Sequence, residues 1–204
     1  MKIKLFHEFD KKFLLINFRS PKIPDLFEIL KSIGYNISMI DWDKVSQEDL
    51  KGLNGIILSG SFLNLSQEDS STYTNKFSYL KNIQTPILGV CFGHQFIGVL
   101  FGSDVYRGEE IKKDETIKIL KEDPLLNGFT YNIIMKQSHS EGINLPQEFD
   151  LLGTSDSCEV EIIKHKSKNI YGVQFHPELS GTPGEILLRN FYKICNQKNK
   201  LSSY

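Results

Sequence analysis

The sequence predicts an α/β protein: an open, mostly parallel sheet flanked by helices, with an added antiparallel portion. Three observations carry that expectation. In the first half, short runs that are apolar throughout alternate with amphipathic stretches, the pattern of parallel strands covered on both faces. One of these runs, 86–90, passes through a glycine-flanked cysteine straight into an apolar helix-like segment. After Gly102 the amphipathic stretches cease, and strand-like segments follow one another to residue 175.

The elements follow in order. Residues 1–12 alternate loosely through Ile3 and Leu5 before turning polar, and are expected as an edge strand or an extension. The continuous run 13–18 is a strand buried on both faces, and Ser20-Pro21 turns the chain. Over 25–33, Leu26, Ile29, Leu30 and Ile33 share one helical stripe, with Gly34 as its stop. A second strand is expected at 37–40, a short helix at 46–50, and a third strand at 55–58 ending in Ser59-Gly60-Ser61. The serine-rich stretch 65–74 is expected as a surface loop ahead of a helix through Phe77 and Leu80. Beyond the strand at 86–90 and its helix come strands at 116–120, 131–135, 149–154, 160–164 and 170–175. Pro183-Gly184 opens a final helix carrying Ile186, Leu187, Phe191 and Ile194 on its apolar side, and a polar tail begins at Asn196. No repeat, linker or low-complexity block divides the chain, so 1–204 is expected as a single domain.

Composition narrows the function classes. Lysine and arginine number 24 against 25 acidic residues, which leaves no basic field for nucleic acid. No apolar run has the length of a membrane span, and a cytoplasmic protein is expected. The three cysteines, Cys91, Cys158 and Cys195, fit neither a disulfide framework nor a zinc site. No metal and no cofactor is called for.

The stretch Gly89-Val90-Cys91-Phe92-Gly93 has the layout of a nucleophile elbow. A side chain at the tip of a sharp strand-to-helix turn needs small residues two positions away on either side, and Gly89 and Gly93 supply them. The following helix points its unpaired amides at the sulfur, which favours thiolate over thiol. The amide of Phe92 is one candidate donor to a developing oxyanion. A lone cysteine reads as readily as a packed core thiol, so the elbow alone leaves both readings open, and a base decides between them.

The segment 170–175 ends in His176-Pro177-Glu178. A histidine and a glutamate two apart at a strand end project to one side, and the intervening proline stiffens the backbone between them. The glutamate can hold the imidazole in one tautomer while the other nitrogen takes the thiol proton. Taken without Cys91, the same pair also fits a solvated ion pair; a metal pair is disfavoured because no further ligand cluster stands at suitable spacing.

Together the motifs resemble the class I, or triad-type, glutamine amidotransferases: ILSGS at 57–61, GVCFGHQ at 89–95, SHS at 138–140 and YGVQFHPE at 171–178, in the family's order. The resemblance implies a flavodoxin-like sheet and hydrolysis of L-glutamine through a cysteinyl thioester, with ammonia passed to an ATP-dependent synthetase subunit. It implies Cys91 as nucleophile, His176 as base and then acid, and Glu178 as the residue that orients it. Gly60 and Ser61 match the loop giving the second oxyanion amide, beside Phe92. Gln95 matches a substrate-contacting glutamine, with a capping or core amide as its other reading. Ser138, His139 and Ser140 match a segment whose backbone grips the amino-acid end of the substrate. His94, Cys158 and Cys195 are expected to be structural, and His7 and His165 lack catalytic context.

Within the family the likeness is to the amidotransferase part of GMP synthetase, through Asp123-Pro124-Leu125-Leu126-Asn127-Gly128, the stretch 156–158, and 184–195. The chain departs from the family at several places. Two glycines are usual where Gly60-Ser61 stands, SHGD where Ser138-His139-Ser140-Glu141 stands, and histidine-threonine where Gly181-Thr182 stands. The aspartate and glycine usual after the first strand are replaced by Asn17-Phe18-Arg19-Ser20, and a glycine expected near Lys113-Asp114 is absent. These changes fall on substrate-loop and partner-facing segments. Two other classes therefore stay in view: a free-standing glutamine or γ-glutamyl hydrolase, and a regulatory homologue with weakened catalysis.

Overall fold

The computed structural model describes residues 12–197. Almost all of the amino-terminal extension expected at 1–12, His7 included, and the tail beyond Gln197 lie outside the described residues. The elements are β1 (Phe13–Asn17), α1 (Ile23–Ile33), β2 (Ile37–Asp41), β3 (Gly55–Leu58), α2 (Ser70–Lys76), β4 (Ile87–Val90), α3 (Phe92–Leu100), β5 (Val105–Ile111), β6 (Asp114–Ile119), β7 (Asn132–Lys136), β8 (His139–Ile143), β9 (Phe149–Thr154), β10 (Ile162–His165), β11 (Ile170–Val173) and α4 (Gly181–Gln197).

Nine strands form one sheet in the order β2-β1-β3-β4-β11-β10-β9-β6-β7. The five from β2 to β11 are parallel, and the pairings from β11 to β7 are antiparallel. Side chains of β1 alternate between two cores because successive Cβ atoms point to opposite faces. Phe13 and Leu15 pack with Leu26 and Leu30 of α1 and Leu187 and Phe191 of α4. Leu14 and Ile16 pack with Tyr73 of α2 and Phe92 and Phe96 of α3. Both faces of the strand are dry, which is why its sequence is apolar without alternation. Among the described residues no helix is long and apolar enough to cross a membrane.

Several expectations need correction. The helix expected through Phe77 and Leu80 lies earlier, over Ser70–Lys76, with Phe77 as its C-cap: Asp69 caps its start by accepting from the Ser71 amide at 3.0 Å, so part of the serine-rich stretch is helical. Leu80 lies in a separate 3-10 turn, Ser78–Lys81, and the short helix expected at 46–50 is a 3-10 turn, Glu48–Leu50. The strand expected from Val160 begins at Ile162, beside a register shift in its pairing with β9. The last helix begins at Gly181, whose φ of 61° suits glycine, and runs through Asn196. Two strands were not expected, β5 and β8, which pair antiparallel as a small separate ribbon. That ribbon lies beside the carboxyl ends of the parallel strands and forms part of the site.

Candidate active site

The parallel register brings three strand ends together. Leu58 of β3 pairs with Gly89 of β4, and Val90 pairs with Val173 of β11. The residues after each strand, Ser59-Gly60-Ser61, Cys91 and Gln174 to Glu178, therefore meet at one edge, as expected of ligand sites in open α/β sheets.

Cys91 sits at the elbow with φ 51° and ψ −106°. It is one of two non-glycine residues at positive φ among those described; for an L residue this is strain held in place by its surroundings. The flanking glycines are sterically required. A Cβ on Gly89 would stand 2.7 Å from the His94 nitrogen, and one on Gly93 would stand 2.8 Å from Leu58 Cβ. Cys91 also caps α3: its carbonyl accepts from the Gln95 amide at 3.0 Å. Cys91 is 6% exposed, and its Sγ lies 3.8 Å from the Ser138 carbonyl oxygen.

His176 and Glu178 leave the end of β11, with Glu178 in the 3-10 turn Pro177–Leu179. His176 Nδ1 lies 2.7 Å from Glu178 Oε1, and both side chains are 2% exposed. The turn is pinned to β7: the His176 amide donates to the Lys136 carbonyl at 2.9 Å, and Ser180 Oγ donates to the His176 carbonyl at 2.6 Å. Burial presses the pKa of His176 down, but Cys91 and Glu178, through charge and hydrogen bonding, outweigh it and raise it to about 10. The charged imidazolium is thus favoured between Cys91 and Glu178. With Nδ1 on Glu178, Nε2 is the nitrogen left for the thiol, and it is buried. A Cβ on Gly60 would stand 3.4 Å from His176 Cε1 and 3.7 Å from Cys91 Cβ, so loop, base and thiol converge.

Gly60 is fixed by Ser59, whose Oγ accepts from the Phe18 amide and donates to the Gly60 carbonyl, both at 2.8 Å. Ser61 does not have a positive φ, so a side chain there costs no backbone strain. Its hydroxyl is turned into its own loop, accepting from the Leu63 amide at 3.0 Å. Ser61, Phe92, Gln95, Ser138, His139 and Ser140 all line one cavity of about 290 Å³ that also contains Cys91. Gly60 and His176 stand beside Cys91, and Glu178 reaches it only through His176.

Two of the expected residues carry structural duties as well. Both amide hydrogens of Gln95 are engaged, with the Glu141 carbonyl at 2.9 Å and Gln174 Oε1 at 3.1 Å, so only its carbonyl oxygen can meet a ligand. His139 Nδ1 donates to the Glu141 carbonyl at 3.0 Å, and burial holds its pKa below the ordinary value, so it is neutral. His94 is fully buried and its pKa is pushed down to about 3 by burial. Its Nδ1 would stand 2.5 Å from a Cβ on Gly172, so it packs α3 onto β11. Cys158 and Cys195 are buried. His165 Nδ1 accepts from the Ser167 and Lys168 amides at 3.1 and 3.2 Å and locks a turn.

Sequence reasoning missed three participants. Gln174 is fully buried, and its Nε2 lies 3.8 Å from Cys91 Sγ. The signal was the strand register, since the residue after Val173 must face the residue after Val90. Glu141, where the family resembled usually has aspartate, accepts from the Leu65 amide at 2.7 Å, the Ser66 amide at 3.1 Å and Ser66 Oγ, and so ties the 65–66 turn to β8. Lys22, from the turn after β1, donates to Ser138 Oγ at 3.0 Å on the cavity lining.

Residues 14–195 match the family model described as Glutamine amidotransferase class-I. A relative from Pyrococcus abyssi, named as a glutamine-hydrolyzing GMP synthase subunit, is 37% identical over 177 residues, covering 84% of this chain and 92% of that protein. One of the same name from Methanosphaera stadtmanae is 37% identical over 171 residues, 81% and 88% of the two chains. Among solved structures, a protein from Thermoplasma acidophilum described as a GMP synthase subunit superposes with a TM-score of 0.88 at 27% identity, covering 97% of this chain and all of that one.

Proposed function

This chain belongs to the class I glutamine amidotransferases, and from that premise we propose that it is the glutaminase subunit of a GMP synthase, passing ammonia to a separate ATP-dependent synthetase subunit. The observation that carries the reading is the convergence of a strained, helix-capping Cys91 with a buried His176–Glu178 pair at adjacent strand ends.

The chemistry follows from the geometry. Cys91 Sγ, its proton on His176, attacks the side-chain carboxamide carbon of L-glutamine. The carbonyl oxygen becomes an oxyanion held by the amides of Phe92 and Ser61, where fixed donors outperform mobile water. His176 then gives its proton to the departing nitrogen, and the C–N bond breaks to release ammonia and leave a γ-glutamyl thioester on Cys91. Water attacks the thioester as His176 takes its proton, and glutamate leaves with Sγ restored. Glu178 keeps Nδ1–H pointed inward and stabilises the imidazolium. Gln174 and Gln95 hold the sulfur and β8 in register, and the backbone of Ser138 to Ser140 receives the amino-acid end. The cytoplasm is the compartment that keeps such a thiol reduced.

The test is glutaminase turnover of the purified chain, measured alone and with the protein that co-purifies from its native cell. Turnover stimulated by an ATP-consuming partner supports the two-protein reading. High, unstimulated turnover with no co-purifying protein means a free-standing hydrolase instead.

A further inference from the structure

Two of the side chains that meet in the cavity, Lys22 and Glu110, stand where sequence reasoning placed no function. The cavity beside Cys91 has four charged lining residues: Lys22, Glu110, Lys112 and Glu141. Glu141 is committed, because both of its oxygens accept from Leu65 and Ser66. Lys22 is half-buried and donates to Ser138 Oγ at 3.0 Å. No carboxylate among the described residues pairs with it, and an ammonium has three donors, so two remain. Ser138 is also the residue whose carbonyl lies 3.8 Å from Cys91 Sγ, which places the Lys22 ammonium about one residue's reach from the nucleophile. On β5 and just after it, Glu110 and Lys112 form an exposed ion pair at 2.6 Å.

We propose that Lys22 is a specificity-determining residue that binds the α-carboxylate of the amide substrate, while Glu110 meets its α-ammonium. This rests on the glutaminase reading and adds to it a charge-based filter for zwitterionic amino acids. The half-buried, unpaired cation supplies the attraction, and its hydrogen bond to Ser138 fixes its position relative to the sulfur. The Glu110–Lys112 pair opens on substrate entry, and Glu110 exchanges one cation for another. A primary amide lacking either charged group loses the corresponding contact, and a charge-assisted contact changes affinity by about 10- to 100-fold.

The experiment compares L-glutamine with 4-aminobutanamide, which lacks the α-carboxylate, and with glutaramate, which lacks the α-amino group. Dissociation constants are measured by calorimetry on Cys91→Ser, Cys91→Ser/Lys22→Met, Cys91→Ser/Lys22→Arg and Cys91→Ser/Glu110→Gln, with wild-type turnover of glutamine recorded in parallel. Lys22→Met is expected to weaken glutamine and glutaramate about 10- to 100-fold and leave 4-aminobutanamide within about threefold. Lys22→Arg restores most of the glutamine affinity. Glu110→Gln weakens glutamine and 4-aminobutanamide and spares glutaramate. Unchanged glutamine affinity in Lys22→Met, or an equal loss on all three amides, overturns the proposal. Absence of glutamine turnover by the wild type with its partner overturns the glutaminase reading itself, a separate outcome.

Discussion

Replacing Gly93 with alanine tests whether the elbow is set by the close approach of α3 to β3. The new Cβ would stand 2.8 Å from Leu58 Cβ, 2.9 Å from the Leu58 carbonyl carbon, and closer still to the carbonyl oxygen. Carbon contacts relax at about 3.5–4.0 Å, so helix and strand must part by roughly 1 Å. The obstacle is backbone on one side and helix on the other, so no side chain can rotate out of the way. The shift also strains the bond from the Gly93 amide to the Ser59 carbonyl, 3.1 Å long, which ties the helix start to the Gly60-Ser61 loop. Overpacking of this kind costs about 1–3 kcal/mol. A displacement of that size at the reacting atoms lowers the rate by about 10²-fold. Gly98→Ala on the same helix is the control. Its Cβ meets only the Ile143 side chain, Cδ1 at 2.5 Å, Cγ2 at 3.3 Å and Cβ at 3.4 Å, with no strand backbone in the way, and alanine favours the helix by about 1 kcal/mol. Urea melts and glutaminase kcat are measured on both. Gly93→Ala is expected to lose stability and most activity while Gly98→Ala, which leaves the Gly60-Ser61 loop and the elbow in place, keeps most of its kcat; equal loss of kcat in the two would refute the packing argument.

Three further outcomes follow from side-chain chemistry. His176→Asn is expected to abolish turnover, since the imidazole paired with Glu178 is the group proposed to carry the thiol proton. Glu178→Gln keeps an oxygen for His176 Nδ1 but removes the charge, so kcat falls by about 10- to 100-fold and a measurable rate remains; activity equal to wild type in a steady-state assay contradicts the role of Glu178. Glu161 is fully buried, its carboxylate accepting from Gln137 Nε2 at 2.6 Å and Ser155 Oγ at 2.7 Å, and burial raises its pKa from 4.5 to about 7. The folded state then binds the extra proton between those values, so stability falls as pH rises from 4.5 through 7, by roughly 3 kcal/mol in all. Melts against pH should show Glu161→Gln more stable than wild type at pH 8, with the gap closing by pH 4.5; a pH-independent gap contradicts the assignment.

The parts legible in the sequence are those whose signal is local. The strand β1 announces itself because Phe13 to Ile16 are buried on both faces, and the elbow because Gly89 and Gly93 are sterically forced. His176 and Glu178 are two apart, so their pairing needs no knowledge of the fold. The ribbon of β5 and β8 left no such trace. Most side chains of β5 are exposed, and a strand with no buried face shows no period of two. Likewise the serines at the start of α2 read as loop because the helix depends on the Asp69 cap and on packing by Tyr73. Gln174 against Cys91, and Lys22 against Ser138, join residues 83 and 116 positions apart. Such contacts are products of strand register and of a turn beyond β1, which composition and spacing do not encode.

The sulfur of Cys91 carries the proposed chemistry. Acid quench of the protein during turnover of glutamine, followed by mass analysis of the peptide that carries Cys91, tests it directly. A γ-glutamyl adduct on that peptide, labile to hydroxylamine and absent from Cys91→Ala, is the predicted result. Glutaminase activity that persists in Cys91→Ala, or turnover with no adduct at any quench time, would contradict thioester chemistry at this site.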